Sequence, residues 1–468
     1  MKILFYCWKA YNQSDIIEAL RRRGHAVDTF ETELGNFEVD DNFTDKFIKK
    51  MAMNDDLAVY SAVGDCGDEK TYTDYVEHNG KDAQGDVDCV YDAVFSVNYF
   101  PIISDICEQF FHSKVKYICW TCDSPLSTMY HQSIFNECNY IFIFDRFCYM
   151  EFKERGANVY YLPLAAATRR ADDVIKKWQT DMKQKKGLLD ASDAPGNNAA
   201  ACAEDETGYK GPDGDAAGDF LYDVSFIGSM YRKNSYDEIK DMLPDYVRGY
   251  FDALMKLQME IYGENYIDGM LTAEIMYELN KHFRIEKSER SFSNIALIFS
   301  TTVLGFKIAQ LERYKLLGAL SKYFDVSVFT DDENADFVLA HNMGPVRYWD
   351  ESPIVFHTSK INLNFTIRNI RSGIPLRVWD ILSAGGFCIT NFQPELVMYF
   401  KNGEDLVWFE DEADLVKKVR YYLRHEDERR RIALNGQKKV RELHNYDARL
   451  QVVEDIVTKS GGKNRLYN

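Results

Sequence analysis

Short, wholly apolar runs alternate with amphipathic stretches along this chain, and that alternation restricts it to an α/β fold built on parallel sheets. KILFYCW opens the pattern, AYNQSDIIEALRRRG follows as an amphipathic helix ending at Gly24, and HAVDTFET resumes a strand. DAVFSVN, VKYICW, YIFIFD and VYYLPL repeat the strand signal, with helical patterns at Ile102 to Phe111 and Phe147 to Arg155. Residues 1–170 therefore read as a first Rossmann-like domain, of ordinary domain size.

From about Gln184 to Asp219 the composition turns to Ala, Gly and Asp with almost no large apolar residue. Such a stretch buries too little surface to offset its ordering entropy, so residues 171–220 are expected to be a flexible linker or insertion. The strand pattern restarts with YDVSFIGSMYRKNSYDEI, and a helix-rich stretch follows to about Lys287. Then come IALIFSTTVLG, a helix from Phe306 to Leu320, and the strands FDVSVFT and KINLNFT. Two closing helices carry Leu415, Val416, Val419, Tyr422 and Leu423 at helical spacing. Residues 221–445 form the second Rossmann-like domain, and 446–468 a closing helix and tail. The expected fold is α/β, two doubly wound domains facing across a cleft.

The segment SGIPLRVWDILSAGGFCITN, Ser372 to Asn391, carries the most chemistry. Ser372 and Gly373 offer an N-cap, Pro375 suits the first helical position, and Gly385-Gly386 stop the helix. Arg377 and Asp380 share one face near the positive end of that helix. An arginine with free backbone N–H groups holds a diphosphate, and a carboxylate accepts from sugar hydroxyls, which points to a nucleotide-sugar site. In open parallel sheets ligands lie beyond the carboxyl ends of strands. The residues at such ends are Tyr11-Asn12, Asn98-Tyr99 and Asp123-Ser124-Pro125 in the first domain, and Gly228-Ser229 and Asn364 to Arg371 in the second.

These features resemble the bacterial glycosyltransferases of the spore-maturation (CgeB-like) type, which have a GT-B fold. KINLNFT, SGIPLRVWDILSAGGF and the closing helices carry the C-terminal likeness. FSVNYFPIISDIC, YICWTCDSP, FIFDR and YLPLA resemble the domain commonly paired with it. The resemblance implies transfer of a hexose from a nucleotide-diphosphate sugar held by the second domain to a protein or glycan on the first, with no cofactor and no metal. Many GT-B enzymes have a pair of glutamates, the second contacting the donor ribose; Asp380 matches that second position. Ser372 stands where the first would be, a departure that bears on the stereochemical outcome. Gly228 resembles the glycine that lets backbone approach the diphosphate, and Arg232, Arg371 and Arg377 are candidate phosphate partners. Asn364, Gly385 and Gly386 complete the expected donor side; Tyr11, Asn12, Asn98 and Tyr99 form the acceptor side. Asp123 is the candidate general base for an inverting transfer, with capping of a following helix as its structural alternative. His25, His131 and His357 are weaker candidates for the base.

A nucleotide-sugar 2-epimerase and a non-catalytic nucleotide or carbohydrate binder are the alternative functions. The net charge of −18 argues against nucleic-acid partners. No continuous apolar segment of about 18 residues is expected to span a membrane, and scattered cysteines suggest a cytoplasmic protein. Cys119 and Cys122 form a CWTC read as buried small residues, Asp86-x-Asp88 and Asp213-x-Asp215 read as chance DxD matches, and RHEDERRR as a solvated helix face.

Overall fold

The computed structural model describes residues 1–53, 88–124, 126–192 (for 185–192 the helical backbone), 220–283, 288–332 and 339–459. The first domain holds a six-stranded sheet of β1 (Lys2–Tyr6), β2 (Ala26–Phe30), β3 (Ala93–Val97), β4 (Lys116–Trp120), β5 (Asn139–Ile143) and β6 (Val159–Tyr161). Its order is β2-β1-β3-β4-β5-β6, all parallel. The second domain holds β7 (Tyr222–Ile227), β8 (Val326–Phe329), β9 (His341–Asn342), β10 (Ser359–Asn364), β11 (Cys388–Asn391) and β12 (Val407–Phe409). These run parallel in the order β12-β11-β10-β7-β8-β9. β3 is buried at every residue, as a central strand covered by helices on both faces must be. The expected strands are present. β9 and β12 escaped notice because the one is two exposed residues and the other three, too short for any period.

Three features depart from the sequence expectations. The linker expected to begin at residue 171 begins as a 25-residue helix, Thr168–Ser192. Its first turns carry Ala171 and Ile175, which share one face and join the core between the domains. The Ala/Gly/Asp-rich residues 193–219 lie outside the described residues. Second, the helix Tyr446–Thr458 leaves the second domain and packs on the first. Leu450, Val453 and Val457 enter the first domain's core; Arg23 pairs with Glu454 at 2.6 Å, and Arg449 donates to the Pro163 carbonyl at 3.1 Å. Third, the apolar run at Ile295 is helical and continues through a π turn, Phe299–Val303, into Leu304–Ser321. By length and composition this 27-residue helix could cross a membrane, with mean hydropathy 1.4, yet 56% of that window is buried inside the protein. Phe299, Val303, Leu304 and Ile308 pack there against Phe251 and Leu254.

The helix Glu426–Leu443 seats through Gly436 on the helix Leu376–Ser383 and the turn before β12, where a Cβ would strike the Asp405 carbonyl and stand 2.8 Å from Leu382. Because backbone cannot yield as a flexible side chain can, Gly436→Ala should destabilise the chain by about 1–3 kcal/mol. Denaturant unfolding checks this; an unchanged midpoint would mean the helix can slide.

Candidate functional site

The carboxyl ends of the two sheets face one another, and a buried carboxylate joins them. Asp145 follows β5 and caps the helix Arg146–Glu154 by accepting from the Cys148 N–H at 3.1 Å. Its other oxygen accepts from three successive backbone N–H groups after β10: Arg371 at 2.8 Å, Ser372 at 3.0 Å and Gly373 at 3.3 Å. Ser372 Oγ lies 3.2 Å from Asp145 and donates to Glu395 at 2.7 Å. Glu395 also accepts from the Arg146 N–H at 2.8 Å and Tyr161 Oη at 2.5 Å. Gly373 is fixed by space, since a Cβ would meet the Phe144 ring at 2.7 Å.

This seam corrects two expectations. Ser372 is not a helix cap: the helix runs Leu376–Ser383, Pro375 is its N-cap residue, and the serine is spent between domains. Arg371 faces the first domain, pairing with Glu151 at 3.2 Å, rather than the space beyond β7.

Beyond β7 two arginines converge. Gly228 has φ +157, and a Cβ there would press 3.2 Å from the Phe226 ring and 3.7 Å from Arg313. Arg377 donates to the Ile227 carbonyl, while Arg313 donates to the Ser229 carbonyl and, at 3.1 Å, to that of Phe365. Arg313 Nε is buried without a partner. Burial lowers the pKa of both arginines, the desolvation an anion would relieve. Tyr231 lies in the left-handed region at φ 50, stacked on Phe306 at 5.1 Å with the Arg313 guanidinium 4.7 Å from its ring. A bulky residue there is strained, as recurs at binding sites. Arg232 stands half exposed, 3.9 Å from Asp332.

One helical turn from Arg377, Asp380 is 5% exposed. Its Oδ1 accepts from Tyr348 Oη at 3.1 Å and lies 3.7 Å from Arg170, while Oδ2 has no partner. Burial pushes its carboxyl up to about 6, against the pull of Arg170 and Arg377. From the first domain Asn12, 2% exposed, brings a second unpartnered oxygen, Oδ1. Tyr11 lies on Tyr348 at 5.1 Å, and its carbonyl accepts from Trp349 Nε1 at 3.1 Å. Gly228, Arg377, Asp380, Tyr11 and Asn12 thus line one cleft.

Other predicted residues are placed elsewhere. Gly385, at φ +75, and Gly386 close the far end of the site helix, about 12 Å along it from the N-terminus. There a Cβ at Gly386 would stand 2.7 Å from the Phe356 carbonyl; the pair ends the helix and lets it pack. Asn364 is buried, its amide donating to Thr366 at 3.0 Å and Thr390 at 2.9 Å. Tyr99 is wholly buried, bonded to Ser133 at 2.8 Å, because its side chain falls on the core face of its turn.

Asp123 is open to solvent, and no helix starts on it; the next short turn, Ser127–Met129, has Leu126 at its cap position. Asn98, left-handed at φ 66, grips this strand end: its Nδ2 donates to Asp123 Oδ2 at 2.6 Å and its Oδ1 accepts from the Cys122 N–H at 2.8 Å. Although its edge reaches solvent, the protein packed around the Asp123 carboxylate desolvates it enough to raise its pKa, while Asn98 opposes the rise. His25 pairs with Glu454 at 2.9 Å, His131 is buried against Ser133 at 2.8 Å, and His357 lies 3.0 Å from the Ala384 carbonyl. Cys119 and Cys122 are free thiols, and among the described residues no group of three His, Cys, Asp or Glu is placed to hold a metal. Both DxD pairs include residues outside the described ones.

Sequence reasoning missed Arg170, Asp15, Arg313, Tyr348 and Glu395. Arg313 lies within the helix expected from Phe306 to Leu320, and Arg170 is the last residue assigned to the first domain; neither stands in a local motif. Each gains its meaning from a partner far along the chain.

Residues 308–455, which include Arg313, Arg377 and Asp380, match the family model described as glycosyl transferase-like; the match spans less than half of the chain. A comparison with curated proteins found no match. Among solved structures, Anabaena HepE in complex with UDP and glucose aligns over 98% of this chain and 100% of its own, at 8% identity and TM-score 0.48. A glycosyltransferase from Rickettsia africae aligns over 98% and 99% at 10% identity and TM-score 0.47. Sucrose-phosphate synthase from Thermosynechococcus elongatus aligns over 98% and 99% at 9% identity and TM-score 0.46. The fold is α/β, two six-stranded parallel sheets with helices, their carboxyl ends facing one another.

The seam predicts a pH dependence. Burial pushes Glu395 up to about 7, so the folded state favours its protonated form. The stability it adds is full below the ordinary carboxyl range of about 4.5 and is lost as pH rises through 7. Thermal unfolding of the wild type should fall in midpoint between pH 5.5 and pH 8, more steeply than that of Glu395→Gln. Equal slopes would remove Glu395 as the titrating group.

Proposed function

We propose that this chain is a metal-independent glycosyltransferase that moves a hexosyl group from a nucleotide-diphosphate sugar to a protein or glycan hydroxyl. The observation that carries the reading is the pair of desolvated arginines, Arg313 and Arg377, meeting at Gly228 beside Asp380. The diphosphate would lie at Gly228, where the missing Cβ lets it approach backbone, with both guanidiniums and the N-terminus of Leu376–Ser383 against its oxygens. Asp380 Oδ2 is an acceptor for a ribose hydroxyl.

In the transfer, an acceptor hydroxyl attacks the anomeric carbon as the bond to the diphosphate breaks. Asp123 takes the hydroxyl proton, and the departing oxygen keeps the bonding electrons, its charge held by the arginines and helix terminus. Asn98 aims the Asp123 carboxylate, and its raised pKa brings it nearer to the working range of a base. Attack from the face opposite the leaving group makes the reaction inverting. We place the enzyme in the cytoplasm, where nucleotide sugars are consumed without a membrane span.

Calorimetry with UDP-, GDP-, dTDP- and CMP-sugars tests the donor site. One of the diphosphate sugars should bind, and Arg377→Ala and Arg313→Ala should each weaken it by about tenfold or more. Intact binding in both variants would disprove the placement. Asp123→Asn should abolish transfer with donor affinity kept, and retained turnover would remove Asp123 as the base. Donor cleavage without an acceptor and with an epimerised sugar would favour the 2-epimerase. Binding with no release of nucleotide diphosphate would favour a non-catalytic binder.

A further inference from the structure

Arg170, the third residue of the helix Thr168–Ser192, joins four separate chain segments at the cleft. Its Nε lies 3.1 Å from both oxygens of Asp15, on the first helix of the first domain. Its Nη1 donates to the carbonyls of Tyr348 and Trp349 at 3.2 and 3.3 Å, and its guanidinium lies 4.6 Å from the Tyr348 ring. Its Nη2 stands 3.7 Å from Asp380 Oδ1. The three charged side chains are largely buried: Arg170 is 14% exposed, Asp15 8% and Asp380 6%. One cation therefore serves two carboxylates from different domains, where a buried charge without a partner is strongly unfavourable.

We propose that Arg170 is a positioning residue for the donor-site carboxylate, holding Asp380 ionised and aimed at the cleft only while Asp15 anchors it from the facing domain. This rests on the donor reading above. Donor binding and closure of the two domains then favour each other, because both depend on the same guanidinium. Asp380 is faced by Arg170 and Asp15, by Tyr348 of the intervening turn, by Arg377 of its own helix and by Tyr446 of the C-terminal helix. Arg170 is the largest of the groups that favour its ionised form.

The test measures the affinity of the full chain for UDP, GDP and dTDP by calorimetry from pH 5 to pH 8.5. Wild-type affinity for the preferred nucleotide should fall as pH drops through about 6, where Asp380 takes its proton. Arg170→Met should move that fall to higher pH and lower the affinity at pH 7 by about fivefold to tenfold. Arg170→Lys should restore part of the shift. Asp15→Asn separates anchoring from simple charge: losing a nearby negative charge alone would move the fall to lower pH, whereas a released Arg170 weakens affinity. Tyr348→Phe keeps the ring while removing its hydroxyl from Asp380, and should shift the fall in the same direction as Arg170→Met if that variant does not fold. Wild-type binding with an unmoved pH edge in Arg170→Met, or in Tyr348→Phe where Arg170→Met does not fold, would overturn this inference and leave the donor site standing. Absence of any UDP, GDP or dTDP binding to the wild type would overturn the donor reading itself, and the inference with it.

Discussion

A single buried carboxylate, that of Asp145, sets the relation of the two halves. It ends a strand of the first domain, caps the helix that follows, and accepts from three consecutive N–H groups of the second domain. Those N–H groups belong to the loop leading into Leu376–Ser383, so the same bond that closes the seam also sets the entry of the helix bearing Arg377 and Asp380. Three successive amides form a concave anion seat. Here the protein fills that seat itself, and Ser372 and Glu395 complete a hydrogen-bonded network around it. Charged hydrogen bonds in a buried seam are strong only when every member is satisfied, which gives the arrangement a fixed geometry.

The cleft beside this seam is built on the opposite principle. Arg313 Nε, Asp380 Oδ2 and Asn12 Oδ1 are buried yet left without partners. Native structures leave few such atoms, and those they leave tend to mark places where something else binds. Burial shifts both kinds of group toward neutrality, lowering the arginines and raising Asp380. An anion beside the arginines and a hydroxyl at the carboxylate would each recover part of that cost. Tyr231, held in a left-handed conformation, belongs to the same economy of local strain supported by surrounding packing.

The segments that lead into the C-terminal helix and into the helix opening at Thr168 run side by side, buried Ala166 bridging Asn445 and donating its N–H to the His444 carbonyl at 2.9 Å. These two crossings place Arg170 and Tyr446 next to Asp380. The surroundings of Asp380 in the second domain are therefore completed by chain that sequence order assigns to the end of the first domain and to the closing helix.

Much of the fold was legible because buried parallel strands write themselves as continuous apolar runs, and amphipathic helices between them leave few topologies. The glycine pair that stops the site helix, the Arg377–Asp380 spacing and the strand-end position of Asp123 could be read from local chemistry alone. What local chemistry could not say was direction. Ser372 looked like a cap and is an interdomain bond; Tyr99 looked like a rim residue and is core; Gly385 and Gly386 looked like ligand seats and lie at the far end of the helix. Arg313, Arg170 and Glu395 have no local pattern, since their partners lie 23 to 249 positions away in the chain. Periodicity along a chain records which side of an element is buried; only packing decides what that side meets.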